Sequence, residues 1–142
     1  AWDINKNLMY FIDTPSMEVT VFDYDKKSGD IENGRMAIQF PKGVGVPDGM
    51  TIDKKGMLWI AHFGGSRISR WNPGNGKMLE EYLFPVSNIT SCAFGGKNLN
   101  ELYITTARAG LSANQLKQQP FAGGLFRLKT HIQGVPTYKF SG

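Results

Sequence analysis

"IDKKGMLWIAHF", residues 52–63, places an aspartate and a glycine turn before an apolar stretch centred on a tryptophan. The same arrangement, a turn and then an apolar strand with an aromatic at its middle, occurs in "WDINKNLMYFIDT" (2–14) and in "FGGKNLNELYITT" (94–106). From the central aromatic of one repeat to that of the next, the spacing is 49 and then 44 residues. Periods of this length are typical of β-propeller blades, each a sheet of four strands.

The segments between these repeats also favour strands. Apolar and polar residues alternate in "VTVFDYD", "RISRW" and "GLFRL", and only "LSANQLKQQ" (111–119) favours a short helix. The sequence therefore predicts an all-β chain of about three four-stranded blades, over residues 1–43, 44–87 and 88–142. The recurring aromatics are expected to pack between blades, and they are Trp2, Tyr10, Trp59, Trp71 and Tyr103.

Three blades do not make a closed ring, because propellers typically close with four to eight. An open array exposes sheet faces and unpaired edges. We therefore expect the chain to be part of a larger propeller. An alternative is that two copies of the chain assemble into one ring.

Composition restricts the class of function. The single cysteine, Cys92, permits neither an internal disulfide nor a cysteine-based zinc site, which favours a reducing, cytoplasmic location. No apolar run reaches the roughly 18 residues of a membrane span. The 16 lysines and arginines are scattered rather than clustered, so we expect no nucleic-acid partner and no membrane partner.

Five stretches together carry a family resemblance. They are "FIDT", "FDYDKKSGDIENGR", "VPDGMTIDKKGMLWIAHFGGSRISRWNP", "TSCAFGGKNLNELYITTAR" and "GGLFRL". Because it contains these five stretches in this order, the chain resembles the C-terminal half of the regucalcin (senescence marker protein), gluconolactonase and luciferin-regenerating enzyme family. The resemblance implies a six-bladed propeller, with a divalent metal in its central channel, that hydrolyses sugar lactones or related esters.

The resemblance also implies a ligand set. The family's metal site takes a Glu from the first blade, an Asn that opens the fourth, and the Asp of the "PDG" motif, which is Asp48 here. The metal would be Ca²⁺ or Zn²⁺, with Mn²⁺ or Mg²⁺ as further options. The family's Asn would fall about two residues before Ala1, so the missing N-terminal half is an expected partner and the 142-residue chain alone is expected to be inactive.

The residues around Asp48 give an independent reason for this assignment. Pro47 fixes its own φ and Gly49 tolerates a turn, so the carboxylate is held where a strand begins. Inner strands of successive blades begin around one mouth of a propeller channel, and a hard divalent cation there relieves the cost of a buried carboxylate. Asp48 is thus the predicted metal ligand and general base. The alternative is that it bonds backbone amides of a turn.

Three further residues are predicted to lie at the same mouth and to bind substrate. Asp13 and His62 end equivalent strands, and Ser91 lies near the entrance of the third repeat. For each, the alternative is a polar side chain that caps a strand end or bonds a neighbouring loop.

Two functions remain open on the sequence alone. One is a metal-dependent lactone hydrolase of the gluconolactonase type, in which the metal polarises the lactone carbonyl and Asp48 helps to activate water. The other is a non-catalytic propeller that binds calcium or another protein.

Overall fold

The computed structural model describes residues 1–137 and is almost entirely β-sheet. Its strands are β1 Trp2–Asp3, β2 Leu8–Asp13, β3 Glu18–Tyr24, β4 Ile31–Gln39, β5 Val46–Ile52, β6 Leu58–Phe63, β7 Arg67–Asn72, β8 Lys77–Leu83, β9 Ile89–Gly95, β10 Glu101–Thr106 and β11 Leu125–Lys129. One helix, α1 (Ala113–Gln118), lies inside the segment expected to be helical. Within the described part, no helix has the length and apolar character needed to cross a membrane.

Consecutive strands form three antiparallel sheets. The first contains β1 to β4 and the second β5 to β8, each with its strands in chain order. The third contains β9, β10 and β11, so it has three strands rather than four within residues 1–137. Sheets built as simple up-and-down meanders in chain order are the blades of a propeller, and the predicted all-β class is confirmed.

The turn between β5 and β6 shows how the repeated motif fixes a hairpin. The Asp53 carboxylate accepts the backbone N–H groups of Lys55 (2.8 Å) and Met57 (3.1 Å). Gly56 adopts a φ of +77°, which other residues rarely adopt, and its N–H bonds the Asp53 carbonyl. The motif therefore ends β5 and starts β6 through local hydrogen bonds.

The core lies on both faces of the second sheet. One layer packs this sheet on the first, and its largest members include Tyr10, Phe40 and Trp71. The other layer packs it on the third sheet around Trp59, which stacks on Tyr82 with ring centroids 5.7 Å apart. Because the second sheet is covered on both sides, every residue of β6 except the last is buried.

The first sheet has one uncovered face. Tyr10 points to the second sheet, so its neighbour Phe11 points away and is 53% exposed. Met36 and Trp2 are also exposed, at 62% and 52%. No sheet within residues 1–137 covers the Trp2 side chain, so the expectation that Trp2 packs between blades stays a prediction.

Candidate functional site

Asp48 lies near the start of β5, at a break in strand pairing. Pro47 pairs with His62, but the next paired residue, Met50, faces Ile60. Asp48 and Gly49 thus oppose one residue of β6, which makes a β-bulge. Bulges change the direction of a side chain and are frequent beside active sites.

The Asp48 carboxylate is partly buried but poorly satisfied. It forms no ion pair within the described residues. Burial raises the pKa of the Asp48 carboxyl above its ordinary value, and the neighbouring Gly49 N–H opposes this rise only in part. A carboxylate in this state has free lone pairs for a cation or a proton.

Ser91 lies directly against the Asp48 bulge. A Cβ on Gly49 would be 2.6 Å from the Ser91 Cβ and 2.8 Å from its Cα, so only glycine permits this approach. Ser91 is exposed and pairs with Thr105 across the third sheet. The structure therefore brings Asp48 and Ser91 together, at the edge where β5 meets β9.

Asp13 is the last residue of β2, and its carboxylate is engaged locally. Its Oδ2 accepts the Ser16 N–H at 3.1 Å, and its carbonyl accepts the Ser16 hydroxyl at 3.2 Å. The following residue, Thr14, donates its hydroxyl to the Pro47 carbonyl at 2.8 Å. This bond fixes the first sheet to the residue before Asp48. Thr14 is not among the predicted site residues, and its only signal in the sequence is its place after the strand end in "FIDT".

The His62 side chain is buried, although its backbone pairs with Pro47 beside Asp48. Its side chain is 1% exposed and packs edge-on against Phe40, with ring centroids 5.5 Å apart. Burial, with a smaller contribution from Arg67, lowers the pKa of His62 to about 4. His62 thus lies between the first and second sheets, and its contact with substrate stays a prediction.

His62 belongs to a buried hydrogen-bonded group with Ser69 and Trp71. The Trp71 indole N–H can only donate, and it bonds the Ser69 hydroxyl oxygen at 2.6 Å. The same hydroxyl lies 2.5 Å from His62 Nε2, and which of the two donates depends on the tautomer of the ring. Nδ1 has no hydrogen-bond partner within residues 1–137.

The donor set for a metal is incomplete in this part of the chain. Residues 1–137 contain no group of three or more His, Cys, Asp or Glu side chains arranged to hold an ion. Asp48, partly buried and without an ion-pair partner, fits as one oxygen ligand of a hard cation. The remaining ligands of such a site would come from outside the described residues.

Comparison with known proteins places this geometry in a family. The sequence model of one protein family, described as the SMP-30/Gluconolactonase/LRE-like region, matches residues 1–108. A candidate sugar lactone lactonase of Bacillus subtilis, YvrE, is 44% identical over 99% of this chain and 48% of its own length. Regucalcin of Bos taurus is 42% identical, again over 99% of this chain and 48% of its own.

A solved structure agrees with these sequence relatives. The calcium-binding protein regucalcin of Agrobacterium tumefaciens superposes with a TM-score of 0.86 and 26% identity, over 94% of this chain and 46% of that one. The chain thus spans about half the length of the relatives it matches. Three blades in about half the length agree with a six-bladed ring. By sequence and by fold, the chain belongs to the SMP-30/gluconolactonase/LRE-like family.

Proposed function

We propose that the chain is part of a metal-dependent lactone hydrolase, with Asp48 as a metal ligand and general base at the mouth of the propeller. The observation that carries the proposal is the partly buried Asp48 carboxylate, which a bulge aims away from the strand pairing and which no cation of residues 1–137 neutralises. Membership of the family supports it, as does the description of YvrE as a sugar lactone lactonase.

The reaction requires an activated water and a polarised carbonyl. A bound divalent cation, of which Ca²⁺ and Zn²⁺ are the leading choices and Mn²⁺ and Mg²⁺ the others, would supply Lewis-acid polarisation of the lactone carbonyl. Asp48 accepts the proton of the water that attacks the carbonyl carbon. The ring C–O bond then breaks and its oxygen takes a proton, which gives a hydroxy acid. In the metal-free chain, burial raises the pKa of the Asp48 carboxyl, so this position favours the binding of a proton or a cation.

The chain supplies one half of the site in this proposal. We place its three blades as the C-terminal half of a six-bladed ring, with the further ligands on the other half. The uncovered face that carries Phe11 and Met36 supports this arrangement, because a preceding blade would bury it. We expect residues 1–142 alone to be inactive. We also propose a cytoplasmic location, supported by the single, buried cysteine, Cys92.

The test is hydrolysis of gluconolactone by the complete protein, measured through the acid that the reaction releases. Asp48→Asn keeps the shape but loses the base and a charged ligand, so we expect kcat/KM to fall by about 10²-fold or more. Asp25→Asn is the matched control, since that exposed carboxylate accepts only the amides of its own turn. A chelator should abolish turnover and added cation should restore it. Equal rates for Asp48→Asn and the parent protein would refute the proposal.

A calcium-binding protein without turnover is the second candidate. The observation that favours it is the description of the Agrobacterium tumefaciens relative as a calcium-binding protein. The same experiment separates the two functions. Cation binding that depends on Asp48, with no hydrolysis of any lactone tested, would leave only the second.

A further inference from the structure

The positive charge of the chain is concentrated in its last third. Residues 102–142 contain five lysines and arginines and no aspartate or glutamate. Residues 1–101 contain 11 basic and 12 acidic residues, so they are almost neutral. The net charge of +4 therefore arises from the segment that includes α1, β11 and the loops around them.

A cavity of about 440 Å³ lies in this segment. Its walls come from Arg108, just after β10, and from residues 120–126, which lead into β11. Phe121 and Leu125 on its rim are 63% and 67% exposed. The cavity thus combines one cationic group with apolar walls, and it opens to solvent.

The cavity lies at the same end of the propeller as Asp48. Ser91, which touches the Asp48 bulge, pairs with Thr105, and Thr105 pairs with Leu125 on the cavity rim. Adjacent strands are about 4.8 Å apart, so the rim is on the order of 10 Å from Ser91. The cavity is therefore an outer neighbour of the proposed reaction site and lies at the same mouth.

Hydrogen bonds to the rest of the fold hold the walls in place. The Asn88 side-chain amide donates to the Ala109 carbonyl at 2.9 Å. The Gln119 side-chain oxygen accepts the Ser87 N–H at 2.7 Å and its hydroxyl at 3.0 Å. These bonds attach both ends of the inserted segment to the connection between the second and third sheets. The cavity is thus preformed rather than assembled by a ligand.

Two glycines shape the wall beside the arginine. A Cβ on Gly123, whose φ is +82°, would be 3.0 Å from Arg108 Cγ, so its absence lets the arginine stem lie along the loop. The next carbonyl, of Gly124, accepts the Thr106 hydroxyl at 2.8 Å. The exposed Arg108 side chain forms no ion pair among the residues described. Its guanidinium is therefore available for an anion.

We propose that this cavity, the Arg108 pocket, is an anion subsite of the same mouth, which binds a carboxylate or phosphate on the part of the lactone remote from its ring carbonyl. The inference rests on the proposed function and adds the substrate class, namely acidic lactones. A guanidinium binds both anions through paired hydrogen bonds. The apolar rim suits the carbon skeleton that joins the anion to the ring.

The first test measures selectivity in the complete protein. Gluconolactone and its 6-phosphate share one ring and differ in charge, so the ratio of their kcat/KM values reports the subsite. We expect Arg108→Gln to lower this ratio roughly 10- to 100-fold, mainly through KM, because a charged hydrogen-bond partner is lost. Lys117→Gln removes the same charge from α1, outside the cavity lining, and should change the ratio less than about 2-fold.

A second test needs no turnover, so it separates failure of the subsite from failure of the hydrolase. Binding of benzoate, phenyl phosphate and neutral benzyl alcohol is measured by calorimetry on the parent, Arg108→Gln and Lys117→Gln proteins. We expect each anion to bind the parent and Lys117→Gln proteins with the same affinity. Its affinity for the Arg108→Gln protein should be lower by at least about 10-fold. The stronger of the two anions identifies carboxylate or phosphate as the preferred group.

Three results would overturn the subsite. The first is an anion affinity that Arg108→Gln leaves unchanged. The second is an equal loss of anion affinity in Arg108→Gln and Lys117→Gln. The third is an affinity for benzyl alcohol equal to that for the anions. If no lactone is hydrolysed but the anions bind through Arg108, the proposed function fails and the anion site stands. If neutral lactone is hydrolysed and the ratio does not respond to Arg108→Gln, the hydrolase stands and the subsite fails.

Discussion

The two ends of β5 carry the same side chain in opposite circumstances. Asp53, just after the strand, is 1% exposed and accepts four hydrogen bonds, two from backbone amides and one each from Trp59 Nε1 (3.0 Å) and Arg70 Nε (2.8 Å). Asp48, five positions earlier, is partly buried and has only the Gly49 N–H acting on it. One strand thus holds a fully satisfied carboxylate and an unsatisfied one.

The difference separates a structural carboxylate from a candidate functional one. A buried polar group is tolerated when it has partners, and Asp53 uses its partners to fix a turn, an indole and a guanidinium. Asp48 fixes nothing within the described residues, and burial alone raises the pKa of its carboxyl. An unsatisfied carboxylate with a raised pKa is the kind of group that active sites retain.

The largest expected effect is on stability at Asp53. Asp53→Ala leaves the Arg70 charge, whose side chain is 7% exposed, with only Glu80 as a partner, and it leaves the Trp59 N–H unbonded. We expect the free energy of unfolding to fall by about 3–5 kcal/mol. Urea denaturation of the complete protein measures this, with Asp25→Ala as the exposed control. A loss under about 1 kcal/mol would show that the Asp53 network is not structural.

Not every polar side chain at the Asp48 end of β5 is a candidate functional group. His62 lies at that end and is buried. Its pKa falls from an ordinary 6.5 to about 4, so the folded state favours the neutral ring. Its contribution to stability is complete above about pH 6.5 and is lost as the pH falls through 4. We expect acid to cost on the order of 2 kcal/mol in this window.

The test is urea unfolding of the parent and of His62→Gln between pH 7 and pH 4. The variant should show a smaller decrease across the window, since it has no imidazole to protonate. Parallel curves for the two proteins would mean that His62 is solvated rather than buried.

Thr14 connects the first sheet to the Asp48 end of β5 and so tests whether the position of Asp48 matters. Thr14→Val keeps the shape of the side chain but removes the donor to the Pro47 carbonyl. We expect a loss of about 1 kcal/mol in the free energy of unfolding and a lower kcat, because Pro47 positions the following Asp48. A change in stability with kcat intact would limit Thr14 to a structural role.

The smallest expected effect is a gain in stability when Asp48 is replaced, whereas the changes above all lower stability. Ionised Asp48 disfavours folding at pH values above its raised pKa, and this cost disappears as the pH falls to the ordinary value of 3.8. Asp48→Asn should therefore raise the melting temperature at pH 7 by roughly 1–2 °C in chelator, with no gain near pH 3. A clear decrease in melting temperature would show that the Asp48 carboxylate has structural partners.

The sequence predicted the blade pattern because strand and turn repeat together. The central aromatics Tyr10, Trp59 and Tyr103 do occupy equivalent strands β2, β6 and β10. The sequence did not reveal the bulge at Asp48, since the break depends on how β5 and β6 pair in space. Proximity of Ser91 was anticipated from the equivalent starts of inner strands, whereas its contact with Gly49 needed coordinates.

The surroundings of His62 and Trp2 could not be read from the sequence, for one physical reason. Alternation shows which side chains share a face, but not what covers that face. His62 lies on a sheet that is buried on both sides, so alternation gave no sign that its ring points into the core. Trp2 lies on a sheet with one uncovered face, so a strong core residue is exposed.

The measurement that tests the central claim most directly is a calorimetric titration of Ca²⁺ and Zn²⁺ into the metal-free complete protein, for the parent and for Asp48→Asn. The claim is that Asp48 is unsatisfied because it serves a cation, so we expect the parent to bind one ion and the variant to bind it at least about 10-fold more weakly. Equal affinities for the two proteins would contradict the account and return Asp48 to the role of a turn residue.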